Sequence, residues 1–270
     1  MSQTIVAELL ELGDQNVAEF IRHIARAADD SHIVEEDGLL LVAGSHPNPG
    51  PYRNVAMRIR EGLSAREVFA RANEFFRQFA RGYCLWVRMH ADLDVDEIAI
   101  ERGFRLLEEE GLPQLAREGA PEPAEPGPGI ELRWAVDEQS RRDFLMVNAD
   151  AWGIGGAPYD LMRATLFEPS ILDAPNVTAA IAYIDDKPAG TCMSINYPPH
   201  VAGGYWGGTA GWARKRGLHD LTSRAIFHAG AQLGATISVS QTSPGAAKNL
   251  ERMGLQQISS FKRYLIPKGT

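Results

Sequence analysis

Apolar positions in the C-terminal half change period in a regular series. Ile130–Val136 (IELRWAV) alternates with period two and predicts a strand. Helical spacing follows over Asp137–Trp152 and Pro158–Phe167. Val177–Asp185 and Ala189–Asn196 predict a hairpin, with Asp185, Asp186, Lys187 and Pro188 at its turn. Past the Pro198-Pro199-His200 break, Val201–Ala210 (VAGGYWGGTA) predicts another strand. Leu218, Leu221, Ala225, Ala229 and Leu233 then share one helical face, and Gly234 stops that helix. Ala235–Thr242 is a strand, Ser243–Gly254 a short helix and Phe261–Ile266 a last strand. The predicted order is β-α-α-β-β-β-α-β-α-β.

The first half echoes part of this plan. The stretch from Gly82, GYCLWVRMHADLDVDEIAIERGFRLL, aligns with GATISVSQTSPGAAKNLERMGLQQI from Gly234. Both run glycine, strand, polar turn, short helix with Glu-Arg, glycine, strand. A helix, SAREVFARANEFFRQFARG, precedes Gly82 as another precedes Gly234. Chance likeness of two strand-helix units competes with a true repeat. Between the halves, GAPEPAEPGPGIE is too rich in proline and glycine for helix or strand and predicts a semi-rigid connector. The expected division is 1–118, a linker over 119–129, and 130–270.

Composition narrows the function. The 270 residues are 44% hydrophobic, enough for a sizeable core, and the net charge of −8 disfavours a general nucleic-acid binder. Cys84 and Cys192 lack close-spaced partners and are expected to be buried apolar fillers. The acidic N-terminus does not read as a signal peptide, and no window has the ~18 apolar residues of a membrane helix. A soluble, cytoplasmic protein without a metal is the expectation.

Against that acidic background, ARKRGLHDL concentrates Arg214, Lys215 and Arg216 before Gly217 and a helix start. Cations oppose the dipole at a helix N-terminus, whereas the free first-turn amides there bind anions. Gly217 permits close backbone approach by a phosphate. Two readings stand at this point: a solvated turn, or a phosphate cradle.

The series strand, Arg214-x-x-Gly217-x-His219, helix, strand, then Ala246-x-x-x-x-Glu251-Arg252-Met253-Gly254-Leu255, resembles a GNAT-type N-acetyltransferase. That family shows Gln/Arg-x-x-Gly-x-Gly/Ala at the pyrophosphate loop of acetyl-coenzyme A. The resemblance covers about 130–270, and the echo in the first half makes the whole resemble a tandem GNAT protein with a degenerate N-terminal unit. It implies an α/β (α+β) fold of two units, each a mixed, mostly antiparallel sheet flanked by helices. It also implies acetyl or short-acyl transfer from acetyl-CoA to an amine of unknown identity. Gly207 and Thr209 would line the pantetheine arm, while Arg214, Lys215, Arg216, Gly217, Leu218 and His219 would hold the pyrophosphate. Ser243 would stand near the far end of the cofactor.

Three positions depart from the family pattern. His219 replaces Gly or Ala, and either crowds the pyrophosphate or donates to it. Leu255 replaces Phe. Leu250 stands where a proton-donating Tyr is common, which keeps alive a non-catalytic acyl-CoA-binding regulatory protein. A protein binding another phosphorylated ligand is a third reading. Tyr205 is the candidate catalytic or positioning group, expected on the same strand face as Thr209, against the alternative of an aromatic packed under the sheet. Cys192, His200, the Asp150–Trp152 segment with its Gly-Ile-Gly-Gly break, and the acidic cluster Asp29, Asp30, His32, Glu35, Glu36 and Asp37 are weaker candidates. Oligomeric state stays open, a homodimer included.

Overall fold

The computed structural model describes residues 3–28, 30–44 and 50–270. The first half comprises α1 (Gln3–Arg26), β1 (His32–Glu36), β2 (Leu39–Ala43), β3 (Asn54–Arg58), α2 (Ala65–Gln78), β4 (Tyr83–Arg88), α3 (Leu93–Glu101), β5 (Arg105–Leu106) and β6 (Leu112–Glu118). The second comprises β7 (Ile130–Trp134), α4 (Glu138–Ala151), α5 (Tyr159–Thr165), β8 (Val177–Ile184), β9 (Lys187–Asn196), β10 (Val201–Thr209), α6 (Leu218–Gln232), β11 (Ile237–Gln241), α7 (Pro244–Arg252) and β12 (Gln256–Ile266). The strand and helix order expected of the second half is present. The mixed α/β class holds as well.

Local chemistry explains most boundaries. Asp137 caps α4 through the Ser140 amide, and Gly234, at φ 102°, ends α6. The hairpin turn is tighter than expected: Asp185 and Asp186, both at positive φ, form it alone, and β9 already starts at Lys187. The buried face of α6 also differs from the expected stripe. Leu218, Leu221, Thr222, Ser223, Ile226, Phe227 and Gly230 face inward, whereas Leu233 is exposed. Helix and sheet approach closely there. A Cβ on Gly230 would stand 2.6 Å from the Ala202 side chain, so small residues sit where apolarity alone suggests larger ones.

All twelve strands among the described residues join one sheet, in the order β1-β2-β3-β4-β12-β6-β11-β10-β9-β8-β7, with β5 beside β12. Each half repeats a parallel strand pair joined by a helix: β3 with β4 through α2, and β10 with β11 through α6. The halves then exchange strands. β6, from the first half, lies between β11 and the start of β12. The end of β12, Phe261–Ile266, crosses to pair with β4, with Tyr264 and Leu265 also against β5. Helix α1 ties the halves together on one face. Asn16 donates from Nδ2 to the carbonyls of Ile195 (3.1 Å) and Tyr197 (2.6 Å). Residues 119–129 carry neither helix nor strand, and Gly119 N donates to Thr236 O at 2.6 Å.

Candidate active site at the fork between two strands

β10 and β11 pair in parallel only from Val201↔Ile237 to Gly204↔Ser240. Past that point they part. Ser240 Oγ donates to Gly204 O at 3.0 Å, at the crotch of the fork. On its other edge β10 carries a bulge, with Tyr205 opposite Met193 but Gly208 opposite Thr191. The extra residue accompanies Trp206 at φ 49°. Bulges break the ladder and re-aim neighbouring groups.

This bulge corrects the expectation for Tyr205. With one residue inserted, Tyr205 and Thr209 lie on opposite faces of β10. Tyr205 shares its face with Met193 and Gly208, whereas Thr209 pairs Gly190, whose Cβ would meet Leu218 under α6. The Tyr205 ring stacks on Phe20 at 4.0 Å, and its hydroxyl donates to Asn16 Oδ1. Burial holds the phenol well above its ordinary pKa, and Glu19 adds to the shift.

A cavity of about 160 Å³ occupies the fork. On the α6 and α7 side its walls include Cys192, Gly207, His219, Ser243 and Leu250. Phe20, Tyr52, Trp152, Trp206, Glu108 and Arg263 enclose it elsewhere. Of the sequence-derived candidates, the cavity collects Tyr205, Gly207, His219 and Ser243, together with the weaker candidates Cys192 and Trp152. Thr209 lies half-buried further along β10, and Leu218 is buried under the helix. Arg214, Lys215, Arg216 and Gly217 are exposed beside the first turn of α6. Those three cations form no ion pair among the described residues.

The start of α6 is uncapped. Gly217 occupies the cap in the left-handed region (φ 74°, ψ 9°) and supplies no side chain to the first-turn amides. Lys215, at φ 66°, turns the loop just before it. Asp150 Oδ2 accepts from Gly211 N at 2.5 Å, latching the end of α4 to the start of this loop. The His219 imidazole packs against β10, with Nε2 only 2.8 Å from where a Cβ on Gly207 would stand. Its buried Nδ1 has no partner, and burial lowers its pKa despite the neighbouring Asp220. Ser243 begins α7 without making a side-chain cap bond.

Of the weaker candidates, Cys192 and Trp152 line the cavity and Asp150 holds its loop, whereas His200 and the acidic cluster are not among its walls. Cys192 is buried, its thiol pushed up to about 12 by desolvation, although its side chain touches the cavity. His200 is exposed in its loop. Asp29 lies outside the described residues, and in the rest of that acidic cluster Glu35 pairs with Arg22 and Asp37 with Arg71. Among the described residues no group of three or more His, Cys, Asp or Glu is placed to hold a metal. No described helix is long and apolar enough to cross a membrane.

Sequence reasoning missed Phe20, Tyr52, Trp206, Glu108 and Arg263. Only Arg263 carried a local signal. It alternates with Phe261 and Leu265 on a strand, which places a cation on an apolar face.

No protein-family model and no curated protein matches the sequence. Solved structures do. A GCN5-related N-acetyltransferase from Kribbella flavida superposes with a TM-score of 0.70 at 17% identity, over 94% of this chain and 95% of that one. A tandem GNAT protein from the clavulanic acid biosynthesis pathway gives 0.61 at 14% identity, over 95% and 96%. A GCN5-related N-acetyltransferase from Sphaerobacter thermophilus gives 0.59 at 14%, over 96% and 95%. With nearly the full length of each chain superposed, and two linked units in one sheet, the protein has the tandem GNAT N-acetyltransferase fold.

Proposed function

We propose that the protein transfers an acetyl or other short acyl group from acetyl-CoA to an amine, using the C-terminal unit. The observation that carries this reading is the open fork, bounded by an uncapped basic helix start. The residues present fit such a ligand. The edge of β10 facing β11 is unpaired beyond Gly204, which leaves room for an amide-rich arm along Gly207 and Thr209. Beside it, the helix start at Gly217 has no capping side chain, and the exposed Arg214, Lys215 and Arg216 are available to neutralise a pyrophosphate. Leu218, buried beneath the loop, anchors it. The partnerless His219 Nδ1 is one further polar atom for the cofactor, and Ser243 stands at the other arm of the fork.

Bound acetyl-CoA would supply an activated thioester. The chain's own groups supply placement and electrostatics. Amides on the edge of β10 that β11 leaves unpaired beyond Gly204 are available to donate where charge builds on a carbonyl oxygen. Tyr205, locked by Phe20 and Asn16, is a positioning residue that forms part of the cavity floor. Holding the amine beside the carbonyl provides much of the acceleration in reactions of this kind. Leu250 offers no proton, and the uncommitted hydroxyl of Ser243 is a donor that the fork presents.

Leu250 also favours a second reading, an acyl-CoA-binding regulatory or interaction protein without turnover. Thiol release from acetyl-CoA across a panel of amines separates the two. Acceptor-dependent release supports the enzyme, binding without release supports the regulatory protein, and absence of binding overturns both.

A further inference from the structure

Two residues that line the cavity carry buried N–H donors without acceptors, and both lie against the same tyrosine. Arg263 is 3% exposed and spends Nε and Nη2 on Glu108, leaving Nη1 without a partner. Trp206 is 6% exposed, and its indole Nε1 likewise has none. The Tyr52 ring centroid is 5.3 Å from the Arg263 guanidinium carbon and 5.1 Å from the Trp206 ring. Buried donors are normally satisfied, so a pair left open at one cavity points to an acceptor group supplied by a ligand. Glu108 already takes Nε and Nη2 of the guanidinium, and the remaining N–H groups call for acceptor oxygens. Around them Phe20, Tyr52, Trp152 and Trp206 make flat apolar walls, with Trp152 edge-on to Trp206 at 5.8 Å.

We infer that the acceptor is an amine carrying both a carboxylate and a flat apolar body, with the chemistry of an aromatic amino acid. Arg263 Nη1 and Trp206 Nε1 hold the carboxylate. This inference rests on the acyltransfer reading above for the fate of the amine, but not for the binding of the carboxylate. The strand exchange is what builds the site. β12 carries Arg263 across to the first half, beside Tyr52 and Glu108, while Trp206 stays on the second-half strand that borders the fork.

The test uses matched pairs that differ in the carboxylate: phenylalanine against phenethylamine, and tryptophan against tryptamine. Binding is followed by calorimetry with and without acetyl-CoA, alongside thiol release. The carboxylate member is expected to bind at least about tenfold more tightly, the range of a hydrogen bond to a charged group. Arg263→Gln should erase that preference, and Arg263→Lys should restore part of it, while acetyl-CoA affinity stays unchanged. Should the Arg263 variants fail to fold, Trp206→Phe removes the second donor without touching the ion pair and should narrow the preference. Equal binding of both members by the wild type, preference for the decarboxylated member, or binding of neither pair overturns the inference. Failure of acetyl-CoA to bind would sink the acyltransfer reading instead, and the cofactor-free titrations would still decide on the carboxylate.

Discussion

The two halves repeat one unit, a parallel strand pair bridged by a helix, and finish it in opposite ways. In the first half, α2 starts at a capping box. Ser64 accepts from the Glu67 amide, while the Glu67 carboxylate accepts from Ser64 N at 2.8 Å. The space past the β3–β4 pair is filled by ion-paired side chains. Arg58 Nε donates to Asp92 Oδ1 at 2.7 Å and Arg58 Nη2 to Asp94 Oδ1 at 2.6 Å, while Arg88 Nε reaches Asp92 Oδ2 at 2.9 Å. In the second half, Gly217 replaces the capping serine, Ser243 stands where α3 has Asp92, and the fork is a cavity. One unit therefore supplies its own anions to its helix start and strand ends. The other leaves both unsatisfied, which is the condition for taking an anion from solution.

The contrast breaks most visibly at Asp92. Asp92→Ala takes the shared carboxylate from two buried guanidiniums, leaving Arg58 only Asp94 and Arg88 only Asp14, and urea unfolding should report a loss of about 3–5 kcal/mol. Acetyl-CoA affinity of the folded fraction should stay the same. At the open helix start the expected change is smaller. Gly217→Ala forces a side chain into the left-handed region and should cost about 1–2 kcal/mol, read in the same titration. At the closed start, Ser64→Ala removes the cap and should cost about 1 kcal/mol without altering ligand binding.

The effect confined to a narrow range of conditions is a pH dependence at His219. Its folded pKa lies below the unfolded value because burial disfavours the imidazolium. The unfolded chain thus binds more protons between the two values, and stability falls as pH drops from about 6.5 through the lowered folded pKa. Comparing wild type with His219→Gln over pH 5–8 should show a slope difference of at most about 1.4 kcal/mol per pH unit, confined to that acidic window.

The sequence made the second half readable because its signals are local. Period-two alternation, the Asp137 cap, the Gly234 stop and the cations before Gly217 each sit within a few residues of what they specify. What escaped depends on distant partners. Nothing near FKRYLI announces that Arg263 will cross to Tyr52 and Glu108, and nothing near Leu112–Glu118 announces insertion beside β11. The bulge at Trp206 hides in VAGGYWGGTA, where glycines blur the alternation, and so the face of Tyr205 was misjudged. The buried stripe of α6 was misjudged for a related reason. Thr222, Ser223 and Gly230 are inside because the helix lies close to the sheet, and hydropathy does not encode closeness.

The measurement that bears most directly on the open-fork account is a calorimetric titration with acetyl-CoA of three proteins: wild type, Arg214→Glu with Lys215→Glu and Arg216→Glu, and Ser64→Ala. The account predicts binding by wild type, undiminished binding by Ser64→Ala, and a loss of about tenfold or more in the charge-reversed loop. Equal affinity for wild type and the reversed loop, or no binding by wild type, would contradict it.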